Sequence, residues 1–357
     1  MIYCLNRLES YHIPHDVISH YLAVYRFLGR NDEFLSTLDL DYETFVAQTI
    51  REDSFFISDL LGLKIKEERL KSIILKGIKP QTHDEKVLTK IKEAMILMHQ
   101  DIESFELIAN EIVSLLQFIY GDIATANDLA FDRLKKADDK VKSLLDAKTV
   151  SKRSELEALV YKYQEGTVKF GFEKGFVATA FYLDFVSLHP FVKYNETMSY
   201  LLLYLLMLNS EYRCFHVVSF FEKLTARRLE FKEIVEESLK NHKEGLSSPI
   251  PLHRFLLSIT HEAYKEMHGV IKNYTFDHQF NKTDYLENSV SRLPEVFTKE
   301  DLRHLHPTVS ESTINRTLNR LKDEGKISPL GKGRSAKWIK HHQKPKKPNL
   351  EQMKLKF

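Results

Sequence analysis

The chain has 357 residues, enough for two or three domains, and its 43% hydrophobic and 29% charged content excludes wholesale disorder and fibrous repeats. Only 12 Gly and 10 Pro argue against many short strands joined by tight turns, and two cysteines exclude a disulfide framework. The net charge of +2 hides an asymmetry: residues 293–357 hold 15 Lys/Arg against 7 Asp/Glu, so a basic end sits on an acidic body, which suggests a polyanion-binding module.

The first residues, Met1 to Arg7, lack a basic segment followed by an apolar run, so no signal peptide is expected. Residues 1–52 show helical apolar spacing, as in Val17, Ile18, Tyr21, Leu22 and Tyr25, then Phe34, Leu35 and Leu38. His12, His15 and His20 have no Cys or clustered carboxylate to complete a site, so no metal is expected. Helices are predicted over 67–75 and 84–99, the second with Val87, Ile91, Ala94, Met95 and Met98 on one face and a loop at 77–80 before it. Amphipathic stretches follow at 102–119, 128–145 and 154–163.

Residues 176–188 and 197–208 are almost wholly apolar, so two helices there must be buried on most sides. The longest unbroken apolar run, 200–208, has nine residues, far short of the roughly 20 that span a membrane. No membrane partner is therefore expected, and a cytoplasmic setting is. Between the two apolar helices lies His189-Pro190-Phe191-Val192-Lys193-Tyr194-Asn195, with a proline that ends the first helix. Helices are predicted again over 214–241 and 251–272, whereas 273–291 has no period and reads as a linker. The last segment, 341–357, is rich in Lys and Pro and reads as a basic flexible tail.

The loop and its flanks, with Glu196, Thr197 and Tyr200, resemble the signature of the Fic family, H-P-F-x-[D/E]-G-N-G-R-x-x-R between two buried helices. The resemblance covers roughly residues 50–270. It implies a helical fold and, in active members, transfer of AMP from ATP to a protein hydroxyl. It also implies that His189 is a general base and that Phe191, Lys193 and Asn195 bind a nucleotide or other anion. Lys193 stands where the family has its Mg²⁺-binding acid, Tyr194 and Glu196 replace both glycines, and Thr197 and Tyr200 replace both arginines. These changes act together against ATP–Mg²⁺, since a charge-assisted contact contributes about 1.5–3 kcal/mol and a Cβ adds bulk where backbone must approach phosphate. Many Fic proteins carry an inhibitory helix ending in a glutamate. The aligned stretch is Ser54 to Leu60, with Ser58 in place of that Glu, so the switch and its arginine partner at position 200 are absent together.

From Phe297 a second pattern begins. Thr298 and Asp301 form a capping-box pair, Ser310 precedes a helix with apolar positions Ile314, Leu318 and Leu321, and Gly325 stands where that helix would end. Ile327 starts a strand, residues 331–333 form a hairpin tip, and Trp338 packs back on the core. The order resembles a winged helix-turn-helix domain. That resemblance implies DNA contacts by Ser312, Thr313, Asn315, Arg316, Asn319 and Arg320 on the recognition helix and by Lys332, Arg334 and Lys337 on the wing.

The expected fold is mainly α, with a small α+β module. The expected division is an N-terminal helical region at 1–110, a Fic-like core at 111–272, a linker at 273–292, the winged helix at 293–340 and the tail beyond. The preferred reading is a DNA-binding regulator, expected as a homodimer on paired half-sites, whose Fic-like body has lost AMP transfer and serves a protein partner or ligand sensing. No cofactor is expected on that reading. One alternative is a divergent nucleotidyl transferase using ATP and Mg²⁺, with His189 as base and Lys193 as a point charge. A third reading is a protein-interaction scaffold.

Overall fold

The computed structural model describes residues 4–341 except 39–40, 101, 103–106, 133–151, 279–285, 288, 291–292, 308 and 332–336. The chain divides into two compact units, Met1–Gly269 and Val270–Phe357. The first is built from helices α1 (His15–Leu28), α2 (Asn31–Leu38), α3 (Tyr42–Leu60), α4 (Glu67–Lys76), α5 (His83–Gln100) and α6 (Ala109–Tyr120). These are followed by α7 (Lys152–Gln164), α8 (Lys174–Leu188), α9 (Asn195–Asn209), α10 (Phe220–Ala226), α11 (Arg228–Ser238) and α12 (Ile250–His278), the last of which runs past Gly269 into the second unit, and a 3₁₀ segment, Cys4–Ser10, precedes them all.

α8 and α9 pack on each other at the centre. α8 is buried from Gly175 to Phe185 and α9 from Thr197 to Leu208, as two apolar stretches without a polar face require. Each fully buried leucine there contributes about 1.5–3 kcal/mol. The Glu173 carboxylate caps α8, accepting from Gly175 N (3.1 Å) and Phe176 N (2.6 Å). α7 lays Leu156, Leu159, Val160 and Tyr163 against α8, and α3 packs on α5 and α10.

Four predicted helices differ in extent. The stretch 214–241 is broken into a 3₁₀ turn, Arg213–His216, and then α10 and α11. Ser219 caps α10, and its hydroxyl and Phe221 N are both held by the buried Asp53 carboxylate (2.7 and 2.9 Å), which turns the chain before a long helix can form. α6 begins only at Ala109 rather than at 102. Of the helix expected at 128–145, residues 128–132 form a turn and an extended segment on the 189–195 loop, and the rest lies outside the described residues. The stretch expected to open the linker is helical instead: α12 runs on to His278, with no proline between 273 and 278 to stop it. No helix among the described residues is long and apolar enough to cross a membrane.

The second unit holds β1 (Val296–Thr298), α13 (Lys299–Leu305), α14 (Glu311–Asp323), β2 (Ile327–Pro329) and β3 (Lys337–Lys340). Its sheet has the order β1-β3-β2, all antiparallel, with Phe297 and Pro329 both opposite Trp338. Thr298 and Asp301 form a reciprocal capping box on α13, and Ser310 caps α14. Past α14 the chain turns at Gly325 with φ +70°, where a side chain would be strained, and Lys326 N closes back on Leu321 O (2.9 Å). The core gathers Phe297, Leu302, Val309, Ile314, Leu318, Leu321 and Ile327 with Trp338 at its edge, and it includes Leu286 and Val290, both from the stretch expected as linker. The hairpin tip beyond Gly331 and the tail beyond His341 lie outside the described residues.

Candidate functional site

The turn between α8 and α9 uses two non-glycine residues in the left-handed region, His189 (φ 46°) and Tyr194 (φ 67°). Such conformations cost about 1–3 kcal/mol each and persist only where neighbours fix them. The fixing contacts begin with Asn195. Its Oδ1 accepts from Phe191 N (3.0 Å) and its Nδ2 donates to Phe191 O (2.7 Å), so one side chain closes the loop in both directions. Phe191 is buried, its ring tilted on Phe131 at 5.2 Å between centroids.

A second strand of support comes from 128–132. Asp132 N donates to Pro190 O (2.8 Å), Val192 N to Ala130 O (3.0 Å) and Lys193 N to Asp128 O (3.1 Å). Two ion pairs lock this extended segment. Lys193 Nζ lies 2.8 Å from Asp128 Oδ1, and Lys152 Nζ bridges Asp132 (2.8 Å) and the His189 carbonyl (2.9 Å). The hydrogen bond from Lys193 holds the Asp128 carboxyl below its usual range, and the same bond raises the lysine.

The expectation that Lys193 reaches an anion meets this geometry directly: its ammonium sits on Asp128, not over the loop. Asn195 likewise has its carbonyl and amide groups engaged by Phe191 backbone. Tyr194 stacks on Tyr120 at 3.7 Å and 13°, filling the face that a glycine would leave open. The Tyr120 hydroxyl in turn meets Thr197 Oγ1 at 2.8 Å, and burial pushes that phenol up to about 12. Tyr200 is buried, its ring facing Phe231.

His189 differs from its neighbours. Its ring is exposed, and Nδ1 faces the Val186 carbonyl. A carbonyl only accepts, so Nδ1 carries a hydrogen, and in the neutral ring Nε2 is then the nitrogen with the lone pair. That tautomer is chemically able to take a proton from a hydroxyl. Ser58 lies at the end of α3, buried, its hydroxyl on Phe55 O (2.7 Å), while Arg228 Nη2 donates to Leu60 O (3.2 Å).

In the second unit, Ser312, Asn315, Arg316 and Asn319 are exposed along α14, opposite the buried Ile314, Thr317, Leu318 and Leu321. Thr313 is half-buried and turned to the cap, with Oγ1 2.8 Å from Ser310 Oγ. Arg320 departs from its expected role: its Nη2 donates to Glu287 Oε2 (2.6 Å), and Glu287 also binds Lys326. Lys337 is exposed at the start of β3, and Lys332 and Arg334 lie outside the described residues. The partners that sequence reading missed (Asp128, Tyr120, Lys152, Glu287) are distant in sequence or carry no motif. The one available signal was the acid at 128, which is followed by apolar residues rather than by helical spacing.

No sequence-family model matches the chain. No curated protein matches it either. Several solved structures are similar to it, three of which follow. A Fic family protein from Desulfovibrio desulfuricans G20 is 12% identical with a TM-score of 0.50, over 94% of this chain and 99% of that one. A Fic domain containing signaling protein from Bacteroides thetaiotaomicron VPI-5482 is 12% identical with a TM-score of 0.56, over 70% of this chain and 98% of that one. A fragment of Fic-1 from C. elegans is 14% identical with a TM-score of 0.52, over 70% of this chain and 72% of that one. At these identities the likeness is one of architecture, and it establishes that the chain is a mainly α protein with the Fic fold.

Proposed function

We propose that the protein is a DNA-binding regulator whose Fic-fold body does not transfer AMP. The second unit is read as a winged helix, with α14 as the recognition helix and β2–β3 as the wing. The observation that carries this reading is the surface of α14: Asn315, Arg316 and Asn319 are exposed as a group while the opposite face forms the unit's core. Arg316 is the base- or phosphate-contacting cation of that face, and Arg320 supports the fold through Glu287. Binding as a homodimer to two half-sites follows from the same reading.

Support for a non-transferring body comes from the 189–195 loop. The groups that would meet nucleotide phosphates are engaged within the protein: Lys193 by Asp128, Asn195 by Phe191, Tyr194 by Tyr120. A cation bound to its own carboxylate offers little to a phosphate without first breaking that pair. The test is an electrophoretic shift with mixed-sequence duplex DNA. Wild-type protein is expected to bind and Arg316→Ala to bind several-fold more weakly; no binding by the full chain overturns the reading.

One observation favours a second reading, a divergent transferase: the exposed His189, whose Nδ1 is held by the Val186 carbonyl. Incubation with α-labelled ATP and Mg²⁺ in a lysate separates the two. Label on any protein that vanishes with His189→Ala establishes the transferase, and none is expected.

A further inference from the structure

A cluster of three metal-ligand types lies outside the loop, in the first unit. Cys4, Asp184 and His242 place one ligand atom each within 4.8 Å of one another, and all three side chains are buried. They come from separate segments: the N-terminal 3₁₀ segment, the middle of α8 and a 3₁₀ turn after α11, His242–Glu244. Ser247 Oγ sits between two of them, 3.1 Å from Cys4 Sγ and 3.1 Å from His242 Nδ1. Asp184 is the one carboxylate within the buried stretch of α8. Its orientation is set by two backbone donors, Cys4 N to Oδ1 (2.8 Å) and Leu5 N to Oδ2 (3.0 Å). Arg7 and Tyr11 close the outer side, both donating to the Ser247 carbonyl.

From this convergence we infer a divalent zinc-type site formed by Cys4 Sγ, Asp184 and His242, with the Ser247 hydroxyl or a water in the fourth position. The donor set selects the ion. A thiolate and an imidazole suit Zn²⁺ and disfavour Mg²⁺ and Ca²⁺, which take oxygen ligands. Tetrahedral bonds of about 2.0–2.3 Å put ligand atoms within about 4 Å of each other, so the observed spacing needs only small side-chain rotations. Thiolate, carboxylate and dication sum to no net charge, which suits a buried centre, and the thiol proton leaves to solvent on binding. The ion ties the first residues of the chain to α8 and to the 242–247 turn. Spacing in the sequence gave no hint of it, because the ligands stand at 4, 184 and 242.

The test uses the full chain, stripped of metal and titrated with Zn²⁺ and with Co²⁺. The expected result is one equivalent of either ion, a thiolate-to-cobalt charge-transfer band and a raised unfolding temperature with Zn²⁺. Cys4→Ser and His242→Gln are each expected to lose the band and the thermal shift, while Cys214→Ser keeps both. Since Cys4→Ser risks misfolding, circular dichroism is recorded for each variant, and the wild-type cobalt spectrum stands independently. Absence of stoichiometric Zn²⁺ and Co²⁺ binding by wild-type protein overturns the site, as does an unchanged band in both folded variants.

Discussion

Asn195 is the residue on which the loop turns, because a single amide closes it in both directions. Asn195→Ala leaves Phe191 N and O without that partner and is expected to cost about 1–3 kcal/mol, read by chemical denaturation. The motif singles out position 195, but the role it implied was anion binding, and the closing of the loop on Phe191 backbone was not legible in the sequence. Nor was the engagement of Lys193, because Asp128 stands 65 positions earlier and nothing local announces the pair.

A buried polar chain supplies a pH prediction at the same scale. Asp53 accepts from Tyr204 (3.0 Å), whose hydroxyl meets His99 Nε2 (2.6 Å), and His99 Nδ1 lies 3.3 Å from His216 Nδ1. Tyr42 reaches His216 Nδ1 (2.8 Å), and Arg213 lies near enough to repel a charge there. Burial lowers His99 from 6.5 to about 4 and also holds His216 well below the usual histidine range. Between pH 6.5 and 4 the unfolded histidine binds a proton that the folded one refuses, so their stabilisation is present above 6.5 and lost as pH falls. Burial raises Asp53 to about 7, which acts in the opposite sense: its contribution is present at acid pH and lost as pH rises through about 7. Denaturation across this window should therefore show a shallower acid loss for His99→Gln and a steeper one for Asp53→Asn. Parallel slopes in all three proteins would contradict the account.

Among the elements, α8 is tightly constrained at its start. A Cβ at Gly175 would lie 2.4 Å from the Tyr212 hydroxyl, which bonds to the capping Glu173 (2.7 Å). Gly175→Ala is expected to cost about 1–3 kcal/mol despite alanine's better helix propensity, measured by thermal unfolding. On α14 the proposed function gives the two arginines different expected effects. Arg320→Ala should lower the stability of the second unit by leaving Glu287 with one cation, whereas Arg316→Ala should leave stability within about 0.5 kcal/mol and weaken DNA binding alone. The long helices were legible from apolar spacing, and α8 and α9 from their nearly unbroken apolar content. The break in 214–241 was not, because Asp53 reaches across 166 positions to pin Ser219. Nor was the extended run at 128–132, whose partners are the backbone groups of a distant loop.

For the whole molecule, the Fic fold and a separate basic unit combine in one chain. The resemblance carried by His189, Pro190, Phe191 and Asn195 led to the fold, although identity to the similar structures is only 12–14%. Where the second unit begins was less legible: the periodicity fades after 272, yet Leu286 and Val290 already belong to that unit's core. The central claim is that this unit binds DNA through α14. It is tested most directly by fluorescence anisotropy of the full chain on a labelled duplex across a series of salt concentrations. Affinity is expected to fall linearly on logarithmic axes with salt, and Arg316→Ala to bind more weakly with a slope reduced by about one. Absence of binding at low salt, or an Arg316→Ala variant indistinguishable from wild type, would contradict it.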